Sequence, residues 1–229
     1  MHCGDGALML VYLTRHGETD ANKERRIQGA LLDPPLNETG HIQATQLAKA
    51  IANMAEERQV HAVYASPALR ARQTAEYICA ALYLARVDFL PGLREVSWGD
   101  WDGSRVTAER DVELRAILGR WKEGDLTARS PGGESASEVI TRAEATMCVL
   151  AHRHEDETIV IVGHERCNML LLSYLLHGSV AQMDDLQQPN GGLTILREKA
   201  ESWRRQIASS RAPTPDVGAM PALGAADAR

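Results

Sequence analysis

The chain has 229 residues, 44% of them hydrophobic, and a formal net charge of −6. That length suits one large domain with a real core, and the acidic balance argues against a general nucleic-acid binder, which needs a basic face for the phosphate backbone. Residues 1–7 lack the basic start and apolar centre of a signal peptide, and no segment approaches the roughly 18 apolar residues of a membrane helix. Cys3, Cys79, Cys148 and Cys167 form no C-x-x-C pair. Their spacing suggests neither a disulfide framework nor a zinc site; read as reduced thiols, they imply the cytoplasm.

The first element is an apolar run from Leu8 that ends abruptly at Arg15-His16-Gly17, the pattern of a buried strand. Residues 19–37 read as a loop. A helix follows over about 40–57, with Asn37 or Thr39 as cap. Val60–Ala65 is a second strand. Ser66-Pro67 then combines a favoured N-cap with proline at the first helical position, so the next helix is expected to start there and reach about Tyr83. Residues 87–90 make a third strand.

Residues 91–133 are irregular and hold three of the four tryptophans, with a short helix near 106–122. This part is expected to cover a site rather than extend a sheet. A long helix over 134–154, a strongly apolar strand over 158–162 and a helix over 165–176 come next. His152 and His154 read as solvated. Closing strands are expected at 192–197 and 202–207, and 209–229 reads as a disordered tail because Pro, Ala and Gly dominate without periodicity. Strands alternating with helices predict an α/β fold, a three-layer α/β/α sandwich on a mostly parallel sheet. The expected domain spans 1–208.

Two strand ends carry the chemistry. Arg15 and His16 follow the first strand, and Gly163-His164 ends the strand over 158–162, just before a helix whose free N–H groups and positive dipole end face the same edge. Ligands of open α/β sheets bind at that edge. Two histidines so placed converge on one anion. Arg70 lies in the first turn of its helix, and helical side chains lean back toward the N-terminus, which aims its guanidinium at the same edge while Arg72 points elsewhere. The planar fork of arginine suits phosphate. Phosphoryl transfer also needs a proton for the leaving oxygen, and Glu95 is the candidate donor.

The ordered set Arg15-His16-Gly17-Glu18-Thr19, Asn22, Ser66-Pro67-Ala68-Leu69-Arg70, Leu93-x-Glu95 with Gly99, Trp101 and Gly103, and Gly163-His164 resembles the histidine phosphatase superfamily, in its phosphoglycerate-mutase-like branch. The resemblance covers about residues 8–200. It implies that His16 attacks phosphorus and becomes phosphohistidine, and that Arg15, Arg70 and His164 neutralise the phosphoryl oxygens. It implies that Glu95 protonates the leaving group and then activates water, that Asn22 contacts phosphate, and that Gln28 and Gly29 line the substrate side. It implies no metal and no cofactor. His16 must be neutral to attack, and a backbone hydrogen bond to its other nitrogen would fix the tautomer.

Two departures stand out. Glu165 replaces the usual glycine after the second histidine; its N–H can still face phosphate, while its charge either disfavours substrates with extra anions or selects a different leaving group. Val96-Ser97-Trp98-Gly99 replaces the Arg-His-Tyr-Gly stretch of mutases, which favours hydrolysis over phosphate shuttling. The expected function is therefore a metal-independent phosphomonoesterase for a small phosphorylated metabolite, with no nucleic-acid or membrane partner. Its alternatives are a phosphoglycerate mutase and a non-catalytic phospho-ligand module. A haloacid-dehalogenase-type site at Asp100–Asp102 is a weaker match, because no buried strand precedes it.

Overall fold

The computed structural model describes residues 8–199, so the strand expected at 202–207 and the tail at 209–229 lie outside the described residues. Five strands form one sheet: β1 (Leu8–Arg15), β2 (Val60–Ala65), β3 (Asp88–Phe89), β4 (Thr158–Gly163) and β5 (Leu193–Lys199). They are ordered β3-β2-β4-β1-β5. β1, β2, β3 and β4 run parallel, and β5 is antiparallel on the edge beside β1. The helices are α1 (Asp20–Lys23), α2 (Glu38–Glu57), α3 (Leu69–Ala81), α4 (Ala108–Lys122), α5 (Ala136–Arg153) and α6 (Glu165–His177).

β4 is buried at every position, as expected of a central parallel strand covered on both faces. Its alternate residues feed two cores. Ile159 and Ile161 face the side that holds Met9, Val11, Leu13 and the α5 and α6 residues Ile140, Met147 and Leu170. Val160 and Val162 face the other side, with Leu10, Tyr12, Ile51 of α2 and Ile78 of α3. These layers are the predicted sandwich. Each fully buried branched side chain contributes about 1.5–3 kcal/mol relative to exposure.

Residues 91–133 add no strand to the sheet. They pack on its α5–α6 face through Trp98 and Trp121, whose rings stack at 5.6 Å, and through Trp101. Gly99 enters this packing at φ +56, with Pro131 and Gly132 so close that no side chain would fit.

Four expectations are corrected. α3 starts at Leu69, after Ser66-Pro67, with Ala68 at the N-cap and no side-chain cap of its own. Its exposed amide is met instead by Asp33, whose Oδ1 accepts from Leu69 N at 2.6 Å across 36 residues of sequence. The third strand is only Asp88–Phe89, because Leu90 turns into a 3-10 turn at Pro91–Leu93. The loop over 19–37 contains α1, closed by a capping box between Thr19 and Asn22. Finally, His154 is buried rather than solvated: its ring bonds the Tyr64 hydroxyl at 2.7 Å and Glu157 at 2.6 Å.

Candidate active site

The parallel register aligns Arg15 with Gly163, so His16 and His164 follow side by side at the carboxyl edge. Their ring centroids are 5.1 Å apart, and both side chains are buried. Gly17 lets the start of α2 pack closely beside them: a Cβ there would lie 2.5 Å from the Gly40 carbonyl oxygen.

The His16 ring is defined by its two partners. Nδ1 lies 2.7 Å from the Gly17 carbonyl, so it carries the proton and donates it. Nε2 therefore presents a lone pair, and it accepts from Arg70 Nε at 3.2 Å. Burial, then the charges of Arg70 and Arg15, push the pKa of His16 well below the ordinary histidine value. Burial does the same to His164, reinforced by Arg70. Both imidazoles are neutral at pH 7.

Arg70 is 1% exposed. Beyond His16, its fork is held by the loop before α2: Nη1 donates to the Leu32 carbonyl at 2.9 Å and Nη2 to the Gly29 carbonyl at 3.3 Å. Gly29 thus meets the site through its carbonyl. It has no room for a side chain, since a Cβ would lie 1.9 Å from Asp102 Oδ1. Arg72 points away, as expected, with its guanidinium 4.9 Å from the centre of the Phe89 ring.

Arg15 is held by the loop before β5. Its Nη1 donates to the Gln188 carbonyl at 2.8 Å and pairs with Glu165 Oε2 at 3.0 Å. Asn22 uses its amide oxygen to join two loops, accepting from Thr19 N at 3.1 Å and from Asn190 Nδ2, in the loop before β5, at 3.3 Å. Gln28 Oε1 accepts from the Thr19 hydroxyl at 2.7 Å.

Among the described residues, the buried side-chain nitrogens without a hydrogen-bond partner are Arg15 Nε, Gln28 Nε2 and the two ring nitrogens of His164. All belong to residues singled out from the sequence. Buried polar groups are normally satisfied, so these nitrogens, three of them N–H donors when His164 is neutral, are left available to an acceptor.

Glu95 departs from the expected arrangement. Its carboxylate accepts from three backbone amides: Val96 N at 2.9 Å, Arg166 N at 3.1 Å and Cys167 N at 2.8 Å. The last two are first-turn amides of α6. The expectation that the amides of this helix face the anion is thereby corrected for Arg166 and Cys167. Glu95 takes them, acting as the cap that His164, at the N-cap position, does not provide. Glu165 is a third exposed and sits at the rim, drawn to Arg15.

The structure brings in residues that sequence reasoning missed. Asn190 Nδ2 and Gly191 N both donate to the His16 carbonyl, at 3.2 and 3.1 Å. Asn168 Nδ2 donates to the Thr14 carbonyl at 3.1 Å and to Gln188 Oε1 at 2.8 Å. Arg142 and Glu134 lie behind Glu95. The run Gln187-Gln188-Pro189-Asn190-Gly191-Gly192, just before β5, supplies several of these groups. Its side chains reach partners more than 160 positions away, which no local pattern shows.

A buried histidine pair at two strand ends, flanked by two arginines and a carboxylate, is the equipment for attack on a phosphoryl group. Residues 11–208 match the model of the histidine phosphatase superfamily (branch 1), and the chain belongs to that family. It is 33% identical to the metal-independent phosphoserine phosphatase of Arabidopsis thaliana over 198 residues, covering 84% of this chain and 80% of the relative. It is 32% identical to phosphoglycerate mutase-like protein 4 of the same plant over 157 residues, 67% of this chain but only 65% of that protein. The fold matches a mycobacterial glucosyl-3-phosphoglycerate phosphatase with a TM-score of 0.71 and 30% identity, covering 83% of this chain and 90% of that one.

Proposed function

We propose that the protein is a metal-independent phosphomonoesterase acting on a small phosphorylated metabolite through a phosphohistidine at His16. The observation that carries this reading is His16 itself. Its proton is fixed on Nδ1 by Gly17, and its Nε2 lone pair faces Arg70 in a buried, neutral ring. A neutral imidazole attacks phosphorus, and oriented cations supply the electrostatic stabilisation.

In the first half-reaction, Nε2 forms a bond to phosphorus as the ester P–O bond breaks. Glu95 enters this step with a proton on Oε2, which accepts from one amide only, that of Arg166, and gives that proton to the leaving oxygen, which departs as an alcohol. In the second, Glu95 takes a proton from water, the hydroxide oxygen bonds to phosphorus, and the N–P electron pair returns to Nε2. Arg15, Arg70, His164, Asn22 and Gln28 hold the phosphoryl oxygens, and Gly29 holds Arg70. Glu165, at the rim beside Arg15, keeps out substrates with a second dense anion. Val96-Ser97-Trp98-Gly99 offers no cationic side chain for the acid group of a phosphoglycerate, which favours hydrolysis over isomerisation. The names of the plant and mycobacterial relatives point to phosphoserine and glucosyl-3-phosphoglycerate as substrates to try first.

We read residues 1–208 as a single domain with 91–133 as the cover of the site; the family match over 11–208 supports this. A cytoplasmic location is consistent with free thiols at Cys79, Cys148 and Cys167 and with no described helix being long and apolar enough to cross a membrane. A panel of phosphoserine, glucosyl-3-phosphoglycerate, 3-phosphoglycerate and p-nitrophenyl phosphate, assayed for free phosphate with EDTA present, tests the reaction. Phosphate release is expected. Isomerisation of 3-phosphoglycerate without release, or loss of all turnover in EDTA, would refute it.

A further inference from the structure

We propose that Arg142, locked to Glu134, is the positioning residue for Glu95: it fixes the proton donor through the backbone without touching substrate. The inference rests on the reading of Glu95 as proton donor and deepens it.

Arg142 lies on α5, between residues that pack firmly into the core: Val139, Ile140, Ala143 and Met147 are all buried. Its guanidinium has five N–H donors, and the surroundings use all of them. Nη1 donates to the Gly92 carbonyl at 2.9 Å and the Arg94 carbonyl at 2.8 Å. Nη2 donates to the Glu95 carbonyl at 3.1 Å and to Glu134 Oε2 at 2.9 Å, while Nε donates to Glu134 Oε1 at 2.8 Å. Glu134 extends the grip, because its Oε2 also accepts from Ser97 N at 2.8 Å and its own N–H donates to the Ser97 carbonyl at 2.7 Å. The backbone is thereby held on both sides of Glu95.

The segment needs such a clamp. It follows a 3-10 turn at Pro91–Leu93 and belongs to no strand, so no sheet ladder fixes it. Its closeness to α5 is built in: a Cβ on Gly92 would lie 2.0 Å from Thr146 Oγ1 and 2.7 Å from the Arg142 carbonyl oxygen. With its backbone clamped against α5, Glu95 sends its carboxylate the other way, onto the amides of Arg166 and Cys167 beside His164. The planar, two-sided fork of Arg142 is what joins the carboxylate of Glu134 to three carbonyls. A lysine has a compact point charge and fewer donors, and cannot span both. Misplacing a catalytic group by about 1 Å costs on the order of 10²-fold.

The test is the leaving group. p-Nitrophenol departs with little help from a proton donor, whereas the alcohol of phosphoserine requires one. Arg142→Lys and Glu134→Gln, in the full chain, are each expected to lower kcat/KM about 10–100-fold on phosphoserine and less than about threefold on p-nitrophenyl phosphate. In a Glu95→Gln background neither should lower phosphoserine turnover further, because the group they position is already disabled. If Glu95→Gln shows the split but both clamp variants lose the two activities equally, the positioning role is refuted and Glu95 stands. If Glu95→Gln itself loses both equally, the proton-donor reading falls and the clamp proposal with it. Should Arg142→Lys not fold, Glu134→Gln decides by the same criterion.

Discussion

Glu165→Gln should make the enzyme bind phosphate more tightly, the opposite of what loss of a site residue normally does. In the structure Glu165 Oε2 lies 3.0 Å from Arg15 Nη1, on the cation expected to hold the phosphoryl group. At that distance the attraction is about 5 kcal/mol at an effective dielectric constant near 20, and about 1.4 kcal/mol in bulk water. Glu165 is a third exposed, so solvent screening brings the usable figure to about 1–2 kcal/mol. A phosphate dianion reaching Arg15 both competes with this pair and is repelled by the carboxylate. Neutralising Glu165 while keeping its shape should therefore lower the inhibition constant of inorganic phosphate about 5–30-fold. The assay is competitive inhibition of p-nitrophenyl phosphate hydrolysis by inorganic phosphate at low salt, repeated at high salt, where the gain should shrink. Unchanged or weaker phosphate binding would refute the idea that Glu165 acts on the anion through Arg15.

Other expectations follow from packing and protonation. Gly17→Ala would place a Cβ 2.5 Å from the Gly40 carbonyl oxygen, with backbone on both sides. It should destabilise the fold by about 1–3 kcal/mol in chemical denaturation, and it should suppress turnover, because the Gly17 carbonyl fixes the His16 tautomer. Glu144 is buried on α5 with Oε1 unpartnered, and burial pushes its pKa up to about 7. The folded state thus keeps a proton that the unfolded chain loses near pH 4.5, so this contribution to stability is lost as pH rises toward and through 7. Glu144→Gln should raise Tm at pH 8 and change it little at pH 4. His16 and His164 have the opposite sign. Their depressed pKa values mean that the unfolded state takes up protons first, so stability should fall below about pH 6.5.

What the sequence reveals of this molecule is what local pattern can carry. β1 and β4 are legible because a strand buried on both faces must be apolar throughout, and because both end abruptly at histidine. Arg70 is legible because the backward lean of helical side chains fixes its direction. The start of α3 is not: Ser66-Pro67 has the chemistry of a helix start, yet Asp33 supplies the contact from another loop. Glu95 is legible as a carboxylate near the site, but its engagement of the α6 amides depends on a partner 71 and 72 residues away. Glu134, just before α5, and Arg142, two turns into it, look like ordinary helix charges. Beyond their mutual ion pair, their role lies in backbone carbonyls and amides 37 to 50 positions away, for which side-chain identity gives no signal.

The most direct measurement is rapid quenching of the enzyme with a labelled phosphomonoester, followed by peptide mapping of the trapped phosphoenzyme. Label on His16 in the wild type, with neither label nor turnover in His16→Ala, is the predicted result. Label on another residue, or turnover retained by His16→Ala, would contradict the phosphohistidine mechanism.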